Sequence, residues 1–200
     1  MKKTKVIYMG TPKFSVPILE MLIKNCYVLM VVTQPDKIVG RKKEIQASPI
    51  KNLALKNNIK VFQPQKIRND YEKIIKLQPD LIITCAYGQI IPKEVLECAK
   101  YGAINVHASI LPKYRGSAPI QWAIMNGETK TGVTLMYMDE HMDTGDIIKI
   151  DQTKITQDDT YGTLYNKLSI LGAKLLEENL NCLVGDNIQR TMQNNLEATM

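Results

Sequence analysis

The chain has 200 residues, 44% of them hydrophobic and 23% charged, with a net charge of +6. That is enough chain for one well-buried domain, and the composition is that of an ordinary soluble globular protein rather than a disordered or fibrous one. Apolar runs such as Val28 to Thr33 and Leu81 to Ala86 fall far short of the roughly 20 residues that span a bilayer, so no transmembrane helix and no membrane partner are expected.

The opening Met-Lys-Lys-Thr-Lys resembles a charged leader, but Gly10, Thr11, Pro12 and Lys13 interrupt the apolar stretch behind it, which reads as a first strand. Cys26, Cys85, Cys98 and Cys182 form no C-x-x-C pair and have no neighbouring histidine. They point to buried thiols in a reducing cytoplasm, with no metal and no disulfide framework. Charge is uneven: residues 151 to 200 carry four basic and seven acidic side chains, which leaves +9 on the first 150.

In chain order, Lys5 to Met9 predicts a strand, and Phe14 to Lys24 a helix through Phe14, Ile18, Leu19, Leu22 and Ile23. Tyr27 to Thr33 has the near-continuous apolar pattern of a strand buried on both faces. Gln34 to Gln46 reads as a polar loop, and Ser48-Pro49 as the cap and first position of a helix running to Lys56. Strands follow over Ile59 to Phe62, Leu81 to Ala86 and Gly102 to Val106, separated by helices over Asp70 to Lys76 and Lys93 to Cys98. Ile120 to Met125 is predicted helical, Gly132 to Met138 and Ile147 to Ile150 as strands, and Tyr161 to Leu183 as an amphipathic helix. The alternation predicts an α/β fold with a doubly wound, mostly parallel sheet flanked by helices. Residues 1–184 form the expected domain, and polar residues 185–200 read as a linker.

Gly10-Thr-Pro follows the first strand but lacks the spaced glycines of G-x-G-x-x-G, which disfavours a nicotinamide cofactor. Chemistry concentrates further on. Period-2 alternation in Gly102-Ala-Ile-Asn-Val-His107 puts Asn105 and His107 on one side of the strand. An amide donor and an imidazole together can hold a developing oxyanion at the carboxyl end of a sheet. Ala108 to Gly116 is too rich in turn residues to be a regular element and reads as a loop closing over a ligand. Asp143, in the polar stretch before Thr144-Gly-Asp146, could orient the imidazole. Taken singly, each residue has a bland reading: a turn former, a satisfied buried histidine, an Asx turn.

The string Asn-Val-His-Ala-Ser-Ile-Leu-Pro-Lys-Tyr-Arg-Gly-Ser-Ala-Pro-Ile, followed by Asp-Thr-Gly-Asp, resembles the signature of the formyltetrahydrofolate-dependent formyltransferases. The resemblance implies a Rossmann-like fold and a catalytic set of Asn105, His107 and Asp143. The implied co-substrate is 10-formyltetrahydrofolate, with no metal. Met-Gly-Thr-Pro-Lys-Phe-Ser-Val-Pro, Thr33-Gln-Pro-Asp36, Gly40-Arg41, Ser48-Pro-Ile-Lys51 and Ala86-Tyr-Gly-Gln-Ile-Ile-Pro92 are similar to family members that formylate initiator methionyl-tRNA for translation initiation. On that resemblance the folate is expected against Tyr87, Gly88, Gln89, Ile90, Ile91, Pro92, Ser109, Leu111, Pro112 and His141. The methionyl end of the acceptor is expected near Gly10 and Phe14. His141 stands where the family more often has glycine; a positive φ there would strain the loop and weaken folate binding.

Between Lys37 and Lys60 seven cations face one acid, Glu44, and a basic loop of this kind attracts a phosphate backbone. By resemblance Arg41 reads the tRNA acceptor stem with Lys42 and Lys43 in support. A monomer is expected, and the resemblance implies a C-terminal β-barrel domain beyond the linker. Two other readings stay open: a formyltransferase of the same fold acting on an amino sugar or nucleotide amine, and a non-catalytic RNA-binding module.

Overall fold

The computed structural model describes residues 3–40, 43–185 and 188–200. The chain divides into two compact units, residues 1–102 and 103–200.

The first unit opens with β1 (Lys5–Gly10), in which Val6, Ile7, Tyr8 and Met9 have no exposed surface. A parallel strand covered on both faces has no wet side, hence the unbroken apolar run. A 3-10 turn (Lys13–Ser15) leads into α1 (Val16–Asn25), which buries Ile18, Leu19, Met21 and Leu22. Next comes β2 (Tyr27–Val32). The stretch expected as a polar loop holds a two-stranded antiparallel hairpin, β3 (Lys37–Val39) and β4 (Glu44–Gln46), with Ile38 opposite Ile45. Three-residue strands among charged residues are too short for period-2 alternation to register.

Ser48 caps α2 (Pro49–Lys56) by accepting from Lys51 N at 3.0 Å, as its position before a proline predicts. The unit is completed by β5 (Val61–Phe62), α3 (Glu72–Ile75), β6 (Leu81–Cys85) and α4 (Lys93–Leu96). Both α3 and α4 are shorter than their sequence pattern. After α3, Gln78 turns left-handed at φ 47 directly before Pro79, which cannot continue a helix. The four long-range strands pair in parallel in the order β5-β2-β1-β6. The chain therefore winds outward from β1 through β2 to β5, then returns to the other side of β1. That reversal makes the carboxyl ends of β1 and β6 a switch point, with Gly10 and Cys85 side by side.

The second unit comprises β7 (Ala103–His107), α5 (Pro119–Met125), β8 (Lys130–Tyr137), β9 (Ile147–Lys154) and α6 (Tyr161–Leu183). Its strands run antiparallel in the order β7-β8-β9. The α/β fold with a mostly parallel main sheet is as predicted: four of its strands pair in parallel and three antiparallel, the β3–β4 hairpin being a separate sheet. Leu164, Leu168, Leu175, Leu176 and Leu180 of α6 are buried, the stripe that the sequence spacing marks. Beyond α6, Thr191 exchanges backbone hydrogen bonds with Ile147 at 2.8 and 2.9 Å. Among the described residues no helix is long and apolar enough to cross a membrane.

The start of α6 is pinned electrostatically. Asp159 accepts from Lys167 Nζ at 2.7 Å, from Thr156 N at 2.9 Å and from Thr163 Oγ1 at 2.9 Å, which holds its carboxyl well below the ordinary carboxylate range. A depressed folded-state pKa stabilises the fold above the unfolded-state value, and that stability is lost as pH falls through the folded value. Asp159→Asn is therefore expected to lower the urea midpoint at neutral pH. The gap to wild type should close progressively below the ordinary aspartate pKa of about 3.9. A gap independent of pH would refute the charge-based account.

Candidate active site

The end of β7 holds two of the predicted site residues. Asn105 pairs in register with Met136 and His107 with Thr134, and both side chains reach one carboxylate. Asn105 Nδ2 donates to Asp143 Oδ1 at 3.2 Å, and His107 Nδ1 lies 3.5 Å from Asp143 Oδ2. The backbone N–H of Gly116 donates to the same Oδ2 at 2.8 Å. On the other side of the ring, His107 Nε2 is 2.8 Å from the carbonyl oxygen of Tyr114. A carbonyl can only accept, so Nε2 carries a hydrogen and Nδ1 faces the carboxylate. The histidine is 7% exposed and the aspartate side chain 14%. The three residues predicted to act together are thus brought together by the structure, in a largely dry setting where hydrogen bonds are strong.

Two loops make this possible. Residues 108–116 fold on themselves: Ser109 Oγ donates to Lys113 O at 2.6 Å, and Thr134 Oγ1 donates to Ser109 O at 2.7 Å while accepting from Leu111 N at 3.2 Å. Leu111–Pro112 is a cis peptide. Ser109 and Leu111 are buried, with the hydroxyl engaged inside the loop, so they shape it rather than project from it. In the loop before β9, Asp143 itself is left-handed, at φ 54. The strain anticipated at His141 falls on Asp143 instead; His141 is exposed, and its N–H donates to Asp139 Oδ1 at 3.0 Å. Aspartate tolerates this region better than most residues. Gly145 has a different reason to be glycine: a Cβ there would sit 2.0 Å from the Tyr137 carbonyl oxygen.

At the switch point of the first unit, a second group of polar side chains gathers. Thr11 Oγ1 and Gln34 Nε2 both donate to Tyr87 O, at 2.9 and 3.1 Å. Gln89 donates to Gln34 Oε1 at 3.2 Å and accepts from Ile67 N at 2.8 Å. Of the predicted folate residues here, Tyr87 and Ile91 are buried, Gly88 and Ile90 exposed, and Gln89 and Pro92 partly covered. The Tyr87 hydroxyl is buried with no hydrogen-bond partner, and burial pushes the phenol well above its ordinary range. Gly10 packs between Cys85 O and Ser15, and Phe14 is buried in the following turn. Ser15 Oγ donates to Cys85 O at 2.6 Å, tying that turn to β6.

Of the predicted acceptor residues, Lys43 is exposed in the turn of the hairpin, directly before β4, and Arg41 and Lys42 lie outside the described residues. The flank of the hairpin is anchored by Asp36, which accepts from Lys51 Nζ at 2.6 Å and Gln63 Nε2 at 2.8 Å; these bonds lower its carboxyl pKa. Among the described residues no group of three or more His, Cys, Asp or Glu side chains is placed to hold a metal ion. Sequence reasoning did not mark Thr11, Gln34, Arg115 or Gln193. Each is a polar residue in an irregular segment, where periodicity carries no information.

Residues 2–180 match the family described as formyl transferase. The chain is 54% identical over 198 residues to a methionyl-tRNA formyltransferase of Geobacillus sp. (strain WCH70), a match that covers 98% of this chain and 62% of that protein. Among solved structures it is similar to an N-formyltransferase from Helicobacter canadensis in complex with folinic acid and dTDP-3-aminofucose. That likeness has a TM-score of 0.76 and 27% identity, covering 100% of this chain and 70% of the other. A phosphoribosylglycinamide formyltransferase from Bacillus halodurans shares the fold, with a TM-score of 0.76 and 22% identity over 91% of this chain and 96% of that one. The chain belongs to the formyl transferase family and has its Rossmann-like fold. It spans about 62% of the length of the relative from Geobacillus.

The close approach at Gly145 yields a direct test. Gly145→Ala forces the turn off the Tyr137 carbonyl, and overpacking of this kind costs about 1–3 kcal/mol. Chemical unfolding should show a loss in that range, with the Asp143–Asn105 hydrogen bond disrupted in a crystal structure. Wild-type stability with the bond intact would mean the turn absorbs a side chain freely.

Proposed function

We propose that the chain is the catalytic part of an enzyme that moves a formyl group from 10-formyltetrahydrofolate to the α-amino group of initiator methionyl-tRNA. The observation that carries this reading is the single carboxylate of Asp143, which receives the Asn105 amide and faces the His107 ring. The neutral amine attacks the formyl carbon, and the carbonyl electron pair moves onto oxygen. Asn105 and His107 supply N–H donors to that oxyanion. Asp143 orients both and accepts the amine proton, directly or through water. Collapse of the tetrahedral intermediate breaks the bond from carbon to N10 of the folate, which takes up a proton; formyl-methionyl-tRNA and tetrahydrofolate result. For His107 Nε2 to donate to the oxyanion, the Tyr114 carbonyl must give up its hydrogen bond, so the ring and the 108–116 loop respond together.

A folate-type donor is supported by the folinic acid in the related N-formyltransferase. The acceptor reading is supported by the likeness to methionyl-tRNA formyltransferase and by the basic surplus around the hairpin. Seven cations against one acid exceed what the one or two phosphates of a nucleotide-linked amine would neutralise, and suit a polyphosphate backbone. Residues 1–184 would form the body of the catalytic domain, residues 190–199, expected as a linker, pack along its loops, and the chain would lead on toward a β-barrel domain that shares the work of holding tRNA.

Two outcomes are expected. Asn105→Ala should slow formyl transfer by about 100-fold or more in single-turnover assays, while the folate still raises the melting temperature by mass action. Near wild-type rates in that variant would sink the mechanism. Replacing residues 37–47 with a short neutral turn should weaken methionyl-tRNA binding and flatten its salt dependence, leaving folate binding unaltered. Preferential formylation of an amino sugar by the wild-type chain would overturn the acceptor assignment.

A further inference from the structure

Residues 190–199 lie beyond residues 2–180, the stretch that defines the family match, and they run along the loops of the candidate site. Arg190 stacks its guanidinium 3.6 Å from the centre of the Tyr137 ring. Tyr114 N donates to Thr199 Oγ1 and Arg115 N to Thr199 O, both at 2.8 Å. Between these anchors Gln193, 6% exposed, uses its carboxamide at both ends. Its Nε2 donates to Asp143 O at 3.0 Å and to Gly145 O at 2.7 Å. Its Oε1 accepts from Arg115 Nε and Nη2 at 3.0 and 2.8 Å, and Nη2 also donates to Asn195 Oδ1 at 2.9 Å.

A carboxamide has two hydrogens and one acceptor oxygen with two lone pairs, so these four bonds saturate it. Neither glutamate nor an apolar residue could present a donor to two carbonyls and an acceptor to a guanidinium at once. The Asp143 carbonyl belongs to the residue in the left-handed conformation, and Arg115 follows the residue whose carbonyl faces His107 Nε2. One side chain therefore joins the backbone of the aspartate loop to the loop that meets the histidine.

We propose that Gln193 is a positioning residue for formyl transfer: it fixes Asp143 against Asn105 and His107, and the segment around it is part of the catalytic machinery. The proposal rests on the reading of Asn105, His107 and Asp143 given above.

Two variants of the full chain test it. Gln193→Glu keeps the acceptor for Arg115, and with it the docking of the segment, but removes both hydrogens given to Asp143 O and Gly145 O. Gln193→Ala brings no charge and removes both ends. Misplacement of a reacting group on the ångström scale lowers turnover by roughly 10- to 100-fold. That loss in kcat is expected in both variants, with an unchanged KM for the formyl donor. The ring 15N resonances of His107 should move, while those of exposed His141, the only other histidine, stay in place. Wild-type kcat in both variants, or unmoved His107 resonances, would overturn the proposal. If the wild-type chain transfers no formyl group, the functional reading fails, and the His107 resonances alone decide whether Gln193 positions the site.

Discussion

Everything in the second unit is arranged around the carboxylate of Asp143. Its Oδ1 takes a hydrogen from Asn105, and its Oδ2 takes one from the Gly116 backbone and faces the His107 ring. A carboxylate with a side chain 14% exposed has surrendered most of its hydration, and the protein must replace it with fixed donors. Those donors come from a strand end and a separate loop, so satisfying one charge locks both. Reaching that point requires Asp143 to adopt a left-handed backbone and Gly145 to pass against the Tyr137 carbonyl. The local strain persists because so many surrounding contacts determine the same conformation.

The sequence made the elements of regular period legible. The buried parallel strands announce themselves as apolar runs, α6 by its leucine stripe and α2 by Ser48-Pro49, because each reflects one rule about which face is dry. The candidate site was legible for another reason: Asn105 and His107 are two apart on a strand, and Asp143 sits inside a recognisable string. What stayed hidden is what irregular backbone does. Nothing in residues 37–46 distinguishes a hairpin from a loop, since three-residue strands carry too few alternations. The positive φ at Asp143 rather than His141 depends on how the turn meets Tyr137, a contact between residues that no local pattern relates. Ser109 and Leu111, expected against the folate, are both buried within their own loop, which the string does not announce.

Glutamine is where sequence reading and structure part most clearly, and the physical reason is general. Loops at the ends of strands have no ladder to satisfy their carbonyls, and a buried carbonyl without a donor costs about as much as a lost hydrogen bond. A charged donor would bring a desolvation penalty of its own. A long neutral amide can reach across and donate without charge, at a cost of about 1.5–2 kcal/mol in side-chain entropy when it is held in one rotamer. Gln34 meets Tyr87 O in this way, and Gln63 meets Gln34 O while also donating to Asp36. Gln89 receives the Ile67 N–H and donates to Gln34, and Gln193 spans two loops of the second unit. By composition alone these residues are solvated polar surface. Their spacing obeys no helical or strand period, because the groups they join are fixed by the fold and not by the local chain. A glutamine bonded at both ends of its amide inside a loop cluster therefore acts as a tie between loops, and the loops it joins here are the ones that carry the candidate chemistry.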